Sequence, residues 1–364
     1  MSMIVLGLSG GVASWDGYPE YRSPPGGLGG ELLPVSARAF GMGGTCVGIP
    51  DTTGVCVLNP AASAWCRRTG VSFEARWVES DDPAWDNESG FPFSSVVMPF
   101  SDRVNLLGCL AGRSSVLETA HRSGTDDIGD WRGRFTWDGG LNEGFAGISV
   151  RAASWLGLSL GSRFTFGKVR TSATISTETS ESLLPVNTEW VDEALFEPAW
   201  GMTFGAMIRS GPFSAGLSVT TDRSGTLRLN RDYAGSSSGS LSEVYDIPGE
   251  VDVGASVRPL APLLLSADYH LRKSMSVFDS RVEEGEILGL GAEALVSRSL
   301  SLRAGYSAMS GLWRDGAARY TLGGSYVFGG RSCRLDAAYG YETWDESRSE
   351  QTLVICLWAG ERWL

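Results

Sequence analysis

Between Leu263 and Arg272 the chain sets Leu263, Leu265, Ala267, Tyr269 and Leu271 on one parity and Ser266, Asp268, His270 and Arg272 on the other. The pattern returns downstream. Leu300, Leu302, Ala304 and Tyr306 oppose Ser301, Arg303, Gly305 and Ser307, and Tyr320, Leu322, Tyr326 and Phe328 oppose Arg319, Thr321, Gly323 and Ser325. Successive side chains of a strand leave opposite faces, so this alternation describes a sheet with one apolar and one polar face. A strand of a soluble sandwich runs to about five or six residues. Several here reach ten or more, the length a tilted strand needs to cross a bilayer. The polar face then requires a wet or polar interior.

The chain supports about fourteen such strands: 69–78, 91–100, 103–113, 141–152, 155–171, 198–208, 213–229, 248–258, 263–274, 286–297, 299–309, 318–328, 333–341 and 351–358. The connections between them alternate between short and long. Short turns on one rim, long loops on the other and an even strand number are the marks of an outer-membrane barrel, with both ends of the barrel on the short-turn side. Tyr326, Phe328, Tyr339 and Tyr341 fall near strand ends and suit interfacial aromatic girdles.

Composition excludes other classes. The net charge of −12 argues against a nucleic-acid partner, which needs a basic patch. A mean hydropathy of −0.04 and the lack of any run of 18 apolar residues exclude a helical membrane protein. A membrane barrel escapes that test, because only alternate residues meet lipid. The 48 glycines and two histidines suit many turns better than a helical enzyme. Residues 1–14 carry a short apolar run, Met3 to Leu8, and small residues at Val12-Ala13-Ser14; they read as a signal peptide cut short at its start, or as an apolar tail.

Ahead of the strands, Ser36–Ala64 is too glycine-rich for a helix and too apolar for a free linker. Gly41, Gly43, Gly44, Gly48 and Gly54 permit close-packed turns, and Asn59-Pro60 marks a hard one. Ala37-Arg38-Ala39, Gly41-Met42-Gly43-Gly44, Asp51 and Asn59-Pro60-Ala61 appear in the order found in the N-terminal hatch of the FadL-like outer-membrane transporters and their PorV-type relatives. Pro248-Gly249, Arg258-Pro259 and Ser266-Ala267-Asp268-Tyr269 extend the similarity into the later strands. Ala62 departs from the glycine usual after Asn-Pro-Ala, and the chain ends in Trp363-Leu364 where many such barrels end on an aromatic residue.

The resemblance implies an all-β fold: a transmembrane antiparallel β-barrel of about 14 strands with an N-terminal hatch, or plug, segment. Residues 15–68 would form a periplasmic tail and the hatch, and 69–364 the barrel. Gly43, Gly44, Asp51, Asn59, Pro60 and Ala61 would belong to the plug. It also implies residence in the bacterial outer membrane, among its lipid and lipopolysaccharide, and passive uptake of a long-chain fatty acid or another hydrophobic small molecule. The alternative is a PorV-like barrel that docks secreted-protein partners.

Charges on the lumen parity, among them Arg163, Glu250, Asp252, Asp268, Glu293, Arg303, Arg319, Arg334 and Asp336, read as a paired network holding the plug. A sharper reading gives Arg303 and Arg319, on adjacent strands, the carboxylate of an amphiphilic ligand, since arginine offers a fixed fork of donors. In the segment 172–197, Leu183, Leu184, Trp190, Val191, Leu195 and Phe196 would make an apolar helical face at the mouth; the resemblance implies that this segment, with Trp190 and Phe196, captures ligand. No cofactor or energy-coupling motif occurs. Six cysteines without a CxxC pair or a histidine cluster leave no metal signature; Cys46, Cys56 and Cys66 read as buried thiols or a periplasmic disulfide. Ser266, Asp268 and His270 share a face but follow one another in steps of about 6–7 Å along one strand, too far to close a hydrolytic triad alone. With no GxSxG present, the reading is of a protein that is not an enzyme.

Overall fold

The computed structural model describes residues 30–31, 36–50, 57–80, 88–125, 129–179, 186–233, 240–273, 275–277, 280–282, 284–311, 316–329, 332–344 and 348–361. Fourteen antiparallel strands form a closed barrel. They are β1 (Thr69–Ser80), β2 (Glu88–Pro99), β3 (Val104–Thr125), β4 (Gly129–Arg151), β5 (Leu156–Thr179), β6 (Val186–Ser210), β7 (Phe213–Thr220), β8 (Glu250–Leu260), β9 (Leu263–Arg272), β10 (Gly285–Leu295), β11 (Leu300–Ser310), β12 (Ala318–Phe328), β13 (Cys333–Trp344) and β14 (Arg348–Glu361). Each pairs with its neighbour in sequence, and β14 closes onto β1 from Glu350↔Ser80 to Glu361↔Thr69. Both ends of the barrel therefore lie on one rim, the rim of two- to four-residue turns such as Gly211-Pro212 and Ala261-Pro262.

The outside of the wall is apolar. Phe100 is 69% exposed and stands at the short-turn rim with Trp155 and Phe213, while Trp200 is 60% exposed and stands in an upper ring with Trp77 and Tyr320. Between them run exposed Leu106, Leu158, Leu217, Leu265, Leu290 and Leu302. Such a belt is stable against acyl chains, with the aromatic rings at its two interfaces. Phe164 carries Trp200 at 4.9 Å and Phe166 at 5.8 Å between ring centroids, and packs flat over Gly144, where a Cβ would fall 2.1 Å from the ring.

One side of the barrel is much taller than the other. β3, β4, β5 and β6 have 22, 23, 24 and 25 residues, and their ladders hold nearly to the tips, as at Thr125↔Asp130 and Gly129↔Thr179. A crossing strand needs only about 9–11 residues, so the outer halves rise clear of the membrane. A further hairpin, Arg223–Tyr233 with Ser240–Ile247, joins them, pairing with β6 from Trp190↔Tyr233 to Phe196↔Leu227. This corrects the sequence reading of 114–140 and 172–197 as loops, and of the latter as a helical face: both are largely strand. Above the membrane neither face meets lipid, so the polar–apolar alternation that marks a strand in sequence fades, and Thr-Ser-Ala-Thr-Ile-Ser-Thr looks like a polar loop.

Candidate functional site in the barrel lumen

Inward-facing glycines recur on successive strands, and the N-terminal segment lies against them. A Cβ on Gly216 of β7 would fall 2.0 Å from the Val47 carbonyl, one on Gly254 of β8 would fall 2.6 Å from the Gly48 nitrogen, and one on Gly305 of β11 would fall 2.0 Å from the Gly43 nitrogen. Backbone meets backbone, with no room for side chains. Gly43 and Gly44 themselves adopt φ of 68° and 85°, a left-handed bend that ends the short helix α1 (Ala37–Phe40), whose N-cap is Ser36. The Asp268 carboxylate accepts the Cys46 and Val47 N–H groups, both at 2.6 Å, and Ser214 and Ser256 donate to the Gly48 carbonyl.

Asn59 ties the next stretch down. Its Oδ1 accepts the Ala61 N–H at 3.2 Å, while its Nδ2 donates to Val47 O at 2.9 Å and to Ala206 O at 3.3 Å. Pro60 then opens a 3-10 helix through Trp65, where it forfeits no bond that a helix start would use. Ala61, Ala62 and Ala64 are fully buried, and Asn105 of β3 donates to the Ser63 carbonyl at 2.6 Å.

Charges fill much of the remaining lumen in closed sets. Arg163 contacts Glu143 at 3.2 Å and Glu250 at 3.1 Å; Arg223 contacts the same two at 2.7 and 2.9 Å; all four side chains are at most 3% exposed. Arg163 also donates to the Val57 carbonyl at 2.6 Å. Arg303 bridges Glu293 and Asp336, both at 2.7 Å; Arg38 also binds Glu293, and Arg334 also binds Asp336. Arg319 pairs with Glu342, and its guanidinium lies 5.4 Å from the Phe40 ring, with Arg76 5.5 Å from the same ring. Asp252 holds Arg272 at 2.8 Å and the His270 Nδ1 at 2.9 Å.

One sector is different. Val57 and Cys66 of the N-terminal segment pack with Phe93 and Val97 of β2, Leu107, Cys109 and Ala111 of β3, and Phe145 of β4 in a wholly apolar cluster. This cluster lines the paired part of β2 and β3, up to the point where a seam opens in the wall. β2 and β3 pair only as far as Phe93↔Ala111. Beyond it β2 slips against β1, between Glu74↔Phe93 and Arg76↔Gly90, and the edge of β3 meets the two-residue strand Gly30–Glu31 at Ser114 and Ser115. A second apolar cluster, with Leu141, Val169, Phe196, Leu227, Tyr245 and Ile247, closes the base of the tall wall; Phe196 meets Tyr245 edge-on at 5.1 Å, and the Tyr245 hydroxyl donates to Glu197 O at 2.6 Å.

The residues singled out in sequence thus separate. Arg303 and Arg319 lie inside, each engaged by protein carboxylates. Phe196 is buried in the upper apolar cluster rather than presented at a mouth. Trp190 lies in β6 opposite Ala173 and Tyr233, and its side chain is outside the described residues. Gly43, Gly44, Asn59, Pro60 and Ala61 converge in the lumen, while Asp51 and Cys56 fall outside the described residues. Ser266, Asp268 and His270 engage separate partners: Thr45, the Cys46 and Val47 amides, and Asp252. The reading from sequence missed Glu143 and Arg223, and it missed the seam cluster. The available signal for the latter was apolar residues on both parities, as in Val96-Val97-Met98 and Leu106-Leu107.

No protein-family model matches the chain, and no curated protein matches it. Solved structures do. A FadL homologue of Pseudomonas aeruginosa aligns with a TM-score of 0.65 at 14% identity, covering 92% of this chain and 100% of that one. The monoaromatic hydrocarbon channel CymD gives 0.59 at 13%, covering 91% and 98%. The toluene transporter TodX of P. putida gives 0.57 at 14%, covering 91% and 100%. The closed barrel, its lipid-facing belt and this likeness point to a bacterial outer membrane. In fold, the chain is similar to the FadL-like barrels.

Proposed function

We propose that the chain is a passive outer-membrane channel for hydrophobic small molecules, with residues 15–68 as the hatch and 69–364 as the barrel. The observation that carries this reading is the apolar cluster of Phe93, Val97, Leu107, Ala111 and Phe145 at the closed end of the β2–β3 seam. The Arg163–Arg223–Glu143–Glu250 set bars an apolar molecule from a straight axial path on one side, because displacing it would strand buried charges. On the glycine-lined flank the N-terminal segment fits backbone to backbone. In the seam sector the side chains of the cluster are apolar, and those can be replaced by an apolar guest at little cost. Ligand would gather at the tall outer wall, with Phe196 at its base and Trp190 further out along β6, enter the lumen, and leave through the seam as the hatch shifts. The similarity to structures described as hydrocarbon channels favours transport over the docking of secreted proteins.

The test is initial uptake of labelled toluene by cells that express the chain and lack their own hydrophobic channels. Wild type should exceed an empty-vector control, and Ala111→Arg, which sets a cation in the cluster, should lower the channel-dependent rate by about tenfold or more, roughly 1.4 kcal/mol of barrier. Uptake equal to the vector control, or unaffected by Ala111→Arg in a folded barrel, would overturn the reading.

A further inference from the structure

We infer that this channel selects uncharged apolar molecules and rejects carboxylates, an inference that rests on the channel reading above. Fork-shaped arginine donors are the natural receptors for a fatty-acid head group. Among the described residues, the lumen arginines in ion pairs already hold protein carboxylates within 3.2 Å. The sharing runs both ways: Glu293 and Asp336 each serve two guanidiniums, and Arg303 spans both. Asp268 is spent on the Cys46 and Val47 amides. An incoming carboxylate would have to displace one of these acids into apolar surroundings or remain unpaired itself, and either is costly where water is excluded. The seam cluster contributes only apolar side chains and thiols, so it presents no cation to an anionic head passing through. The net charge of −12 adds a long-range repulsion of anions. A neutral hydrocarbon or alcohol meets none of these penalties.

The experiment uses the full chain in lipid nanodiscs at about pH 8, where a free carboxyl is ionised. N-phenyl-1-naphthylamine, a neutral fluorophore, is bound and then displaced by 1-dodecanol or by dodecanoate, with empty nanodiscs correcting for partition. Dodecanol should half-displace the probe at a concentration about tenfold or more below dodecanoate. Glu342→Gln, which leaves Arg319 with its charge and one fewer acid, should strengthen dodecanoate several-fold and leave dodecanol unchanged; Asp336→Asn, which removes an acid from Arg303 and Arg334, should act the same way. Heat-resistant migration on gels confirms a folded barrel for each variant. If the probe shows no saturable binding above empty nanodiscs, the channel reading fails and this inference with it. If dodecanoate displaces the probe as well as dodecanol does, or if both folded variants leave dodecanoate unchanged, charge selection is refuted while the channel reading stands.

Discussion

Replacing Glu250 by glutamine removes the acid that Arg163 and Arg223 share, at 3.1 and 2.9 Å, and leaves two guanidiniums with Glu143 between them. Neither arginine side chain has any solvent exposure, so water cannot take over the lost partner. Breaking a buried ion pair by removing one partner costs roughly 3–5 kcal/mol, a fall of about two to four orders of magnitude in the folded ratio. With a urea dependence of about 2–3 kcal/mol per molar for a chain of this size, the midpoint should drop by about 1–2.5 M. The assay is reversible urea unfolding of the barrel inserted in vesicles, followed by tryptophan fluorescence. The comparison that isolates charge is the neutral quartet Arg163→Met, Arg223→Met, Glu143→Gln and Glu250→Gln. It strands no charge and should lie much closer to wild type than Glu250→Gln does, since apolar replacement of a whole buried set is often close to neutral. A Glu250→Gln midpoint within about 0.2 M of wild type, or a quartet variant worse than the single one, would refute the view that these four residues form one mutually dependent set.

Further outcomes follow from the same geometry. Asp268→Asn weakens the carboxylate that receives two amides at 2.6 Å; with the other five cysteines replaced, Cys46 should react with a maleimide about fivefold faster or more, through more frequent local opening. Gly305→Val inserts side-chain atoms where a Cβ alone would meet the Gly43 nitrogen at 2.0 Å; it should cost about 1–3 kcal/mol and expose the N-terminal segment to protease, while the barrel stays heat-resistant. Brominated lipids should quench the exposed Trp77, Trp155 and Trp200 and spare the buried Trp65 and Trp358, read from single-tryptophan variants.

What the sequence disclosed depended on what each strand face touches. β9, β11 and β12 are legible because one face meets lipid and the other the polar lumen, so Leu265 and Ser266, or Leu302 and Arg303, alternate. The outer halves of β3 to β6 lose that contrast above the bilayer and read as loops. Arg163 and Glu250 sit in plainly alternating strands and were found; Glu143 has lumen parity in the expected strand 141–152 with nothing local to mark it out, and Arg223 falls on the lipid parity of the expected strand 213–229 unless the break at Thr221-Asp222 is seen. The seam was hidden for the opposite reason: β2 and β3 are apolar on both faces there, because their inner face packs against Val57 and Cys66 rather than water. No local pattern reveals that a ladder stops at Phe93↔Ala111, since pairing is a property of two segments and their register.

The account turns on the β2–β3 seam as the route. Phe93 and Ala111 are direct partners at its closed end and both face inward, so Phe93→Cys with Ala111→Cys in a cysteine-free background should form a disulfide that keeps the ladder from unzipping past this pair to let a ligand through. Initial toluene uptake by cells carrying this variant is the decisive measurement. The account predicts near-vector rates while the disulfide is intact and recovery on reduction; wild-type uptake through the clamped barrel would contradict it.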